Sequence, residues 1–302
     1  MMNIKKYAGL LFISLMAMNL YAAPKVVVTI APIHALTTAL MQGVAEPVLL
    51  VAPNASPHNY ALKPSQVSDL YAAQLVIWVG ESLETFLIKP LQQLPPKITI
   101  LGLLTTAGLN PLPFRVGPTW QQESDHHHHH AGLDPHIWLD PQRMQTIATA
   151  VTAALVKLDS DNKQHYETNA ATVKQQLTTL DQQLATLLRP IHNQPFIVFH
   201  EAYQYFEQRY QLKAVGAITL NPEIMPSAKR VAAIQVMIKQ QKVICIFSEP
   251  QFRPAIVDRI AEGTGVKVGV LDPVGVTGQG FAAYAQLLTN LATSLRGCLL
   301  PT

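Results

Sequence analysis

Residues 162–188 read NKQHYETNAATVKQQLTTLDQQLATLL, a stretch without glycine or proline. Its apolar side chains recur in alternating steps of four and three, at Tyr166, Ala170, Val173, Leu177, Leu180, Leu184 and Leu187. This spacing predicts one helix with a single apolar stripe. At 1.5 Å per residue the helix would be roughly 40 Å long, about the height of an α/β lobe. Arg189 and Pro190 end it, so we expect a rigid helix that joins two parts of the chain.

Four short apolar runs precede this helix, four follow it, and segments of helical spacing lie between them. The runs are KVVVTI (25–30), PVLLV (47–51), QLVIWVG (74–80), KITIL (97–101), QPFIVFH (194–200), LKAVGAI (212–218), KVICIF (242–247) and VKVGVL (266–271). Continuous β-branched runs are typical of parallel strands that helices cover on both faces. We therefore predict an α/β fold of two (β/α) lobes with parallel sheets. The N-terminal lobe would span 23–158, the connecting helix 159–190 and the C-terminal lobe 191–302.

The first residues have the layout of a secretory signal peptide. MMNIKKYAGLLFISLMAMNLYAA (1–23) has a basic start, an apolar stretch and small residues at its end. The apolar stretch is too short and too weakly flanked for a stable membrane span. We predict a cleavable signal peptide over residues 1–22, with an uncleaved anchor as the alternative. No cysteine lies near this point, so we expect no lipid anchor on the mature chain.

The charge balance argues against nucleic-acid binding, and the cysteine content is consistent with an exported protein. The chain carries 22 basic and 19 acidic residues, and two of the basic ones lie in the predicted signal peptide. The mature chain is therefore nearly balanced and lacks the positive field that nucleic-acid binding requires. The two cysteines are Cys245 and Cys298. In an exported protein such a pair is most simply a disulfide, with two buried free thiols as the alternative.

Three isolated histidines and one aspartate lie near the ends of predicted elements. His58 lies just beyond the run 47–51, His200 ends the run 194–200, and Asp272 follows the last run. His136 precedes a helix predicted from about residue 142. Ligands of open α/β sheets bind at the carboxyl ends of strands, and imidazole and carboxylate groups bind zinc and other first-row metals. We therefore predict a metal site in the cleft between the lobes with these four residues as ligands.

Five segments of the chain together resemble the metal-binding solute-binding proteins of ABC importers, the cluster A-I or cluster 9 family. They are SPHNYALKPSQ (56–66), DPHIWLDP (134–141), FHEAYQYFEQRYQL (199–212), NPEIMPSAKR (221–230) and VLDPVG (270–275). They run in the order of that family and cover nearly all of the mature chain. The resemblance implies two lobes joined by a long helix, with one metal ion buried between them. It also implies a periplasmic location, and an inner-membrane ABC permease with its ATPase as partner.

The resemblance extends to the ligand set, and the metal residues of the family match His58, His136, His200 and Asp272 one by one. Manganese-type members tend to have a glutamate where this chain has His200, and a histidine there favours zinc. The chain is similar to the zinc branch, the ZnuA type, in its histidine-rich loop and late cysteine pair as well.

Two positions depart from some members of the family. Pro57 stands where some relatives have an acidic residue, which leaves Asp272 or a water molecule as the fourth ligand. Ala217 stands where some have a histidine of an accessory site. We therefore expect no accessory site on that side.

A run of five histidines lies in a polar stretch that we predict to be a loop over about residues 117–132. Adjacent imidazoles on a flexible loop cannot hold one fixed geometry, and ordering them costs conformational entropy. We expect the run to bind zinc weakly and exchangeably, as an accessory that collects or senses zinc. A plain solvated loop is the alternative, and the interior position argues against a purification tag. The residues are His126, His127, His128, His129 and His130.

Four further residues receive weaker predictions. His34 follows the first strand and is expected to pack or to line the cleft, and His165 and His192 are expected to be solvated. Glu201 directly follows His200. We interpret it as an acid at a helix N-terminus, where the helix dipole favours negative charge, in preference to a partner that orients an imidazole.

These observations favour one function over two from other classes. We expect a monomeric periplasmic protein, not an enzyme, that captures zinc and delivers it to an ABC permease. Manganese or another divalent metal is the alternative cargo. A secreted zinc hydrolase would use metal-activated water, but the chain has neither H-E-x-x-H nor G-x-S-x-G. A surface adhesin would need a tether, which we do not expect.

Overall fold

Two α/β lobes and a long connecting helix make up the described part of the chain. The computed structural model describes residues 23–53, 55–115, 117, 119–120, 132–219, 222–275 and 278–300. The predicted signal peptide over 1–22 and the histidine run at 126–130 lie outside these residues. The predicted fold class is confirmed.

The first lobe is built on a four-stranded parallel sheet. Its strands are β1 (Val26–Val28), β2 (Val48–Leu49), β3 (Leu75–Trp78) and β4 (Thr99–Gly102). They pair in the order β2-β1-β3-β4, so β1 lies between the strand that follows it and the third strand. Every residue of β1 is fully buried, because helices cover this sheet on both faces.

The second lobe repeats the same arrangement. Its strands are β5 (Pro195–His200), β6 (Lys213–Thr219), β7 (Cys245–Ser248) and β8 (Lys267–Val270). They are also parallel, in the order β6-β5-β7-β8. All eight predicted strands are therefore confirmed, with ends that differ from the prediction by up to three residues. The strand order reverses at β1 and at β5, which in open α/β sheets marks the place where ligands bind.

Helices of very different length connect the strands. The described residues contain α1 (Ala31–Leu40), α2 (Pro64–Ala72), α3 (Ile88–Gln92), α4 (Pro141–Leu158), α5 (Lys163–Leu188), α6 (Gln204–Tyr210), α7 (Ala228–Gln241), α8 (Ala255–Glu262) and α9 (Gly280–Leu299). Proline at the first position begins α2 and α4, where a missing backbone N–H costs nothing. The Asp140 side chain caps α4 by accepting a hydrogen bond from the Gln142 N–H.

The long helix predicted over 159–190 is α5, which has 26 residues and is preceded by a short 3₁₀ turn. Its apolar stripe is buried as predicted from Tyr166 to Leu184, but the last buried position is Leu188 and Leu187 is only half-buried. Leu187 still packs against the core, but a strict alternation of four and three drifts around a straight helix. A second step of four returns the side chain to the packed face, where α5 contacts α1, α4 and α9.

The last helix, α9, connects the second sheet to the rest of the molecule. It contacts β8 and also packs along α1 and α5. The predicted disulfide is present: Cys245 at the start of β7 is bonded to Cys298 in α9, with the two Cα atoms 6.1 Å apart. It closes a loop with a sequence separation of 53, which corresponds to roughly 4 kcal/mol on the chain-entropy account.

Trp138 forms hydrogen bonds between the two lobes beside the cleft. Its ring is fully buried, and its Nε1–H donates a hydrogen bond to the Pro273 carbonyl oxygen at 2.7 Å. The Tyr284 hydroxyl of α9 donates to the Trp138 carbonyl oxygen at 2.8 Å. A buried polar group is costly unless it is paired, so these bonds fix the segment around residue 136 against the second lobe.

Candidate metal centre

Three of the four predicted ligands meet in the cleft between the lobes. His58 lies on the loop that follows β2, His136 directly precedes a 3₁₀ turn (Ile137–Leu139), and His200 is the last residue of β5. One ligating nitrogen of each lies within 4.8 Å of those of the other two. The three predicted histidines therefore come together at one place, and their role as metal ligands stays a prediction.

The Nε2 atoms of His136 and His200 face each other at 3.4 Å. Two nitrogens bound tetrahedrally to one zinc ion at about 2.0–2.1 Å lie roughly 3.4 Å apart. The two imidazoles are therefore already at the separation that a shared zinc ion requires.

A carboxylate lies behind each of these two rings. Asp134 Oδ1 is 2.8 Å from His136 Nδ1 and also accepts the His136 backbone N–H at 3.0 Å. Both carboxylate oxygens of Glu249 lie 2.8 Å from His200 Nδ1, and the Tyr203 hydroxyl donates to Glu249 at 3.0 Å. These partners assign the proton of each ring to Nδ1, which leaves the Nε2 lone pairs free to bind a metal ion.

Burial sets the charge of the site. It lowers the pKa of His136 well below its ordinary value of 6.5, and the neighbouring His200 lowers it further. Burial, and then His136 and His200, likewise lower the pKa of His58. Both rings are therefore neutral at pH 7, which is the state that binds metal. Burial raises the pKa of the Asp134 carboxyl to about 7, and a divalent cation nearby would favour its ionised form.

His58 differs from the other two histidines in its support. It is half-buried, and among the described residues no side chain hydrogen-bonds its ring. Its backbone N–H donates to the Ser56 hydroxyl at 3.3 Å. The position of this imidazole is therefore set by the loop that carries it.

The structure does not bring the fourth predicted ligand, Asp272, into the group of histidines. Its Oδ1 accepts hydrogen bonds from Gln251 Nε2 and the Gly275 N–H at 2.7 Å, and from the Val274 N–H at 3.2 Å. A carboxylate that follows a strand can cap its own turn as well as bind a metal. Sequence position alone does not separate these two uses.

The cavity at this site is very small. Its volume is about 10 Å³, and its lining includes His58, His136, His200, Glu249 and Phe252. A cavity of that size holds about one water molecule. The space between the histidines therefore fits a single ion.

Sequence reasoning missed Asp134 and Glu249 and assigned Glu201 to the wrong role. Glu249 directly follows β7, so the same rule of strand ends could have found it. Glu201 lies ahead of the start of α6 at Gln204, and among the described residues it hydrogen-bonds Arg115 and no imidazole, so neither interpretation describes the role that it takes there.

Glu201 instead pairs with Arg115, at the start of the predicted histidine-rich loop. Arg115 NH1 also pairs with Glu207 of α6 at 2.6 Å, and the Arg115 guanidinium stacks on the Trp120 ring at 3.5 Å. The Arg230 guanidinium donates to the Thr119 carbonyl oxygen at 2.9 Å. The start of that loop is thus fastened to the second lobe, close to the residue that follows His200.

The other histidines of the described residues lie outside the metal group. His34 is half-buried, with Nε2 2.9 Å from the Pro47 carbonyl oxygen. His165 is exposed, as predicted for a solvated side chain, whereas His192 is half-buried.

A two-lobed fold with a rigid connecting helix and a cation-sized histidine site between the lobes defines a metal-binding solute-binding protein. The chain belongs to the family described as zinc-uptake complex component A, periplasmic (ZnuA), which matches residues 26–298.

Curated relatives and solved structures are consistent with this family assignment. The high-affinity zinc uptake system protein ZnuA of Brucella abortus (strain 2308) is 38% identical over 304 residues, covering 91% of each chain. That of Yersinia pestis is 36% identical over 296 residues, covering 92% of each. A crystal structure of ZnuA has a TM-score of 0.78 at 26% identity and covers 92% of this chain and 100% of that one. The periplasmic zinc binding protein TroA from Treponema pallidum, at 21% identity and a TM-score of 0.79, shares the fold; the match covers 92% of this chain and 100% of that one.

The carboxylates behind the rings provide the first prediction. Glu249→Gln and Asp134→Asn should each lower the affinity for zinc about 10- to 100-fold, because they weaken the acceptor that fixes the Nδ1 proton and the ring orientation. Chelator competition on metal-free protein measures the affinity. Glu262→Gln, at an exposed position of α8, is the matched control. Wild-type affinity in both site variants would contradict this role.

Proposed function

We propose that this protein captures zinc in the periplasm and delivers it to an inner-membrane ABC permease with its ATPase. The observation that carries the proposal is the group of three histidines from both lobes, two of them at the spacing of a shared zinc ion. The family and its curated relatives support the same function. Zinc is the cargo of this site, and the protein itself performs no reaction on it.

The donor set favours zinc over manganese. Three neutral imidazoles form a nitrogen-rich site, which suits zinc, whereas manganese prefers carboxylate, carbonyl and water oxygens. The fourth ligand is Asp272 or a water molecule. The three hydrogen bonds to Asp272 are all accepted by Oδ1, so they leave Oδ2 available for zinc and do not decide between the two.

The cavity argues against a zinc hydrolase. Metal-assisted hydrolysis requires a substrate carbonyl or phosphoryl group next to the metal-bound water, and about 10 Å³ of space does not admit one in this closed arrangement. A carrier needs space only for the ion.

We propose that a signal peptide over residues 1–22 exports the protein and that the mature chain acts as a monomer. The layout of residues 1–23 and the periplasmic description of the family support export. Across the described residues, no helix is both long and apolar enough to cross a membrane.

We propose an accessory role for the run His126–His130. Its place in the chain supports this role: Arg115 and Thr119, which precede it, are held by Glu201, Glu207 and Arg230 of the second lobe. Zinc bound weakly there would be collected near the cleft.

The proposed ligands can be tested one by one. Replacing His58, His136 or His200 by Ala should weaken tight zinc binding by orders of magnitude, because each removes one of three protein ligands. Calorimetric titration of the metal-free mature protein should find one tight zinc site and much weaker manganese binding. Unchanged zinc affinity in two of the three variants, or tighter binding of manganese, would show that the site is assigned wrongly.

The histidine run and the cleft should respond differently to pH. The pKa values of His58 and His136 are lowered by burial, so protons compete for these ligands only well below pH 6.5. Exposed imidazoles take up protons near pH 6.5. Zinc that is bound weakly at the run opposes this protonation less than zinc that is bound tightly in the cleft. Weak sites should therefore empty first as the pH falls from 8 to 5. In the variant that lacks residues 123–131, only the tight site should remain. If this variant loses tight zinc binding, the histidine run is the primary site and the proposed assignment is wrong.

A further inference from the structure

The loop that carries His58 is held from the opposite lobe by Glu223. This residue lies between β6 and α7, in the second lobe, and is exposed. Its Oε1 accepts a hydrogen bond from the Ser56 hydroxyl at 2.9 Å, and its Oε2 accepts one from Asn59 Nδ2 at 3.2 Å. One carboxylate thus holds the loop on both sides of His58, and we name this arrangement the Glu223 bridge.

The bridge reaches the backbone of His58 through Ser56. The Ser56 hydroxyl donates its proton to Glu223 and accepts the His58 backbone N–H at 3.3 Å. A hydroxyl that donates and accepts at once links the two bonds into one chain. The position of the His58 backbone therefore depends on a residue of the second lobe.

His58 needs such support more than the other two histidines do. His136 and His200 are buried and each has a carboxylate behind the ring. His58 is only half-buried, and among the described residues no carboxylate lies behind its ring, so its loop must preorganise it. A ligand on a loop that is free to move must lose conformational freedom when it binds the metal.

We propose that Glu223 is a positioning residue that holds His58 against the metal and thereby sets the rate at which zinc leaves. This inference rests on the proposed function, because it requires zinc at the three histidines. With the bridge formed, His58 closes the cleft over the ion. With the bridge broken, the loop can move away with His58, and the ion keeps two buried protein ligands and an open path to solvent.

The test is a double-mutant cycle between Glu223 and His58, read as the zinc dissociation rate after an excess of chelator is added. Glu223→Ala should accelerate dissociation about tenfold, because it removes both hydrogen bonds to the loop. Glu223→Gln keeps one acceptor oxygen, so its zinc dissociation rate should lie between those of wild type and Glu223→Ala. In the His58→Ala background, Glu223→Ala should have no further effect, because it acts only through His58.

Controls separate a positioning role from a general effect on the fold. Glu262→Ala removes an exposed carboxylate of the same lobe and should leave the dissociation rate unchanged. The thermal unfolding of metal-free Glu223→Ala should match that of wild type, since exposed hydrogen bonds of this kind add little stability.

The outcomes distinguish this inference from the proposed function. Two results would contradict this inference alone, provided that His58→Ala weakens zinc binding. Either Glu223→Ala leaves the dissociation rate unchanged, or its effect on that rate is as large in the His58→Ala background as in wild type. In both cases the bridge does not position the ligand. If His58→Ala itself leaves zinc binding unchanged, the proposed site fails and the inference fails with it.

Discussion

Two imidazole lone pairs face each other across 3.4 Å between the lobes, and the rest of the site depends on this contact. Each ring donates its only proton backwards to a carboxylate, Asp134 or Glu249. No hydrogen bond can then form between the two Nε2 atoms, so a cation between them is what makes the arrangement favourable. Burial keeps the ring of His136 neutral, and the two carboxylates supply negative charge that complements a divalent ion.

The fold places these groups at facing edges of the two lobes. Parallel sheets bring their carboxyl ends to one edge, and two sheets of the same strand order present those edges to each other. The helix α5 connects the lobes as one rigid element, and its buried stripe packs against α1, α4 and α9. Trp138 and Pro273 join the lobes next to the site. Ion release is therefore better served by a small loop, such as the one that carries His58, than by hinge opening.

Local patterns allowed much of this architecture to be predicted from the sequence. Buried parallel strands are continuous apolar runs, so all eight were found. An amphipathic stripe predicted α5, although the last fully buried position is Leu188 and Leu187 is only partly buried. The three histidines that meet in the cleft could be selected because each lies near the end of a predicted element. The disulfide followed from the presence of two cysteines in a chain that we predict to be exported.

Hydrogen bonds between side chains that are far apart in the sequence could not be predicted from local patterns. Glu249 and His200 are 49 residues apart, and Ser56 and Glu223 are 167 apart, with no local signal that joins them. The roles of Asp272 and Glu201 could not be assigned from the sequence, because a carboxylate next to a strand or helix can bind a metal, cap a turn or pair with an arginine. The choice depends on which neighbours tertiary packing supplies, here the Gly275 N–H and Arg115.

The claim that one zinc ion is shared by histidines of both lobes is tested most directly by X-ray absorption spectroscopy. The sample is the mature protein loaded with one equivalent of zinc. The account predicts a four-coordinate ion with three imidazole nitrogens and one oxygen at about 2.0–2.2 Å. A spectrum with fewer than three imidazoles, or with a shell dominated by oxygen, would contradict it.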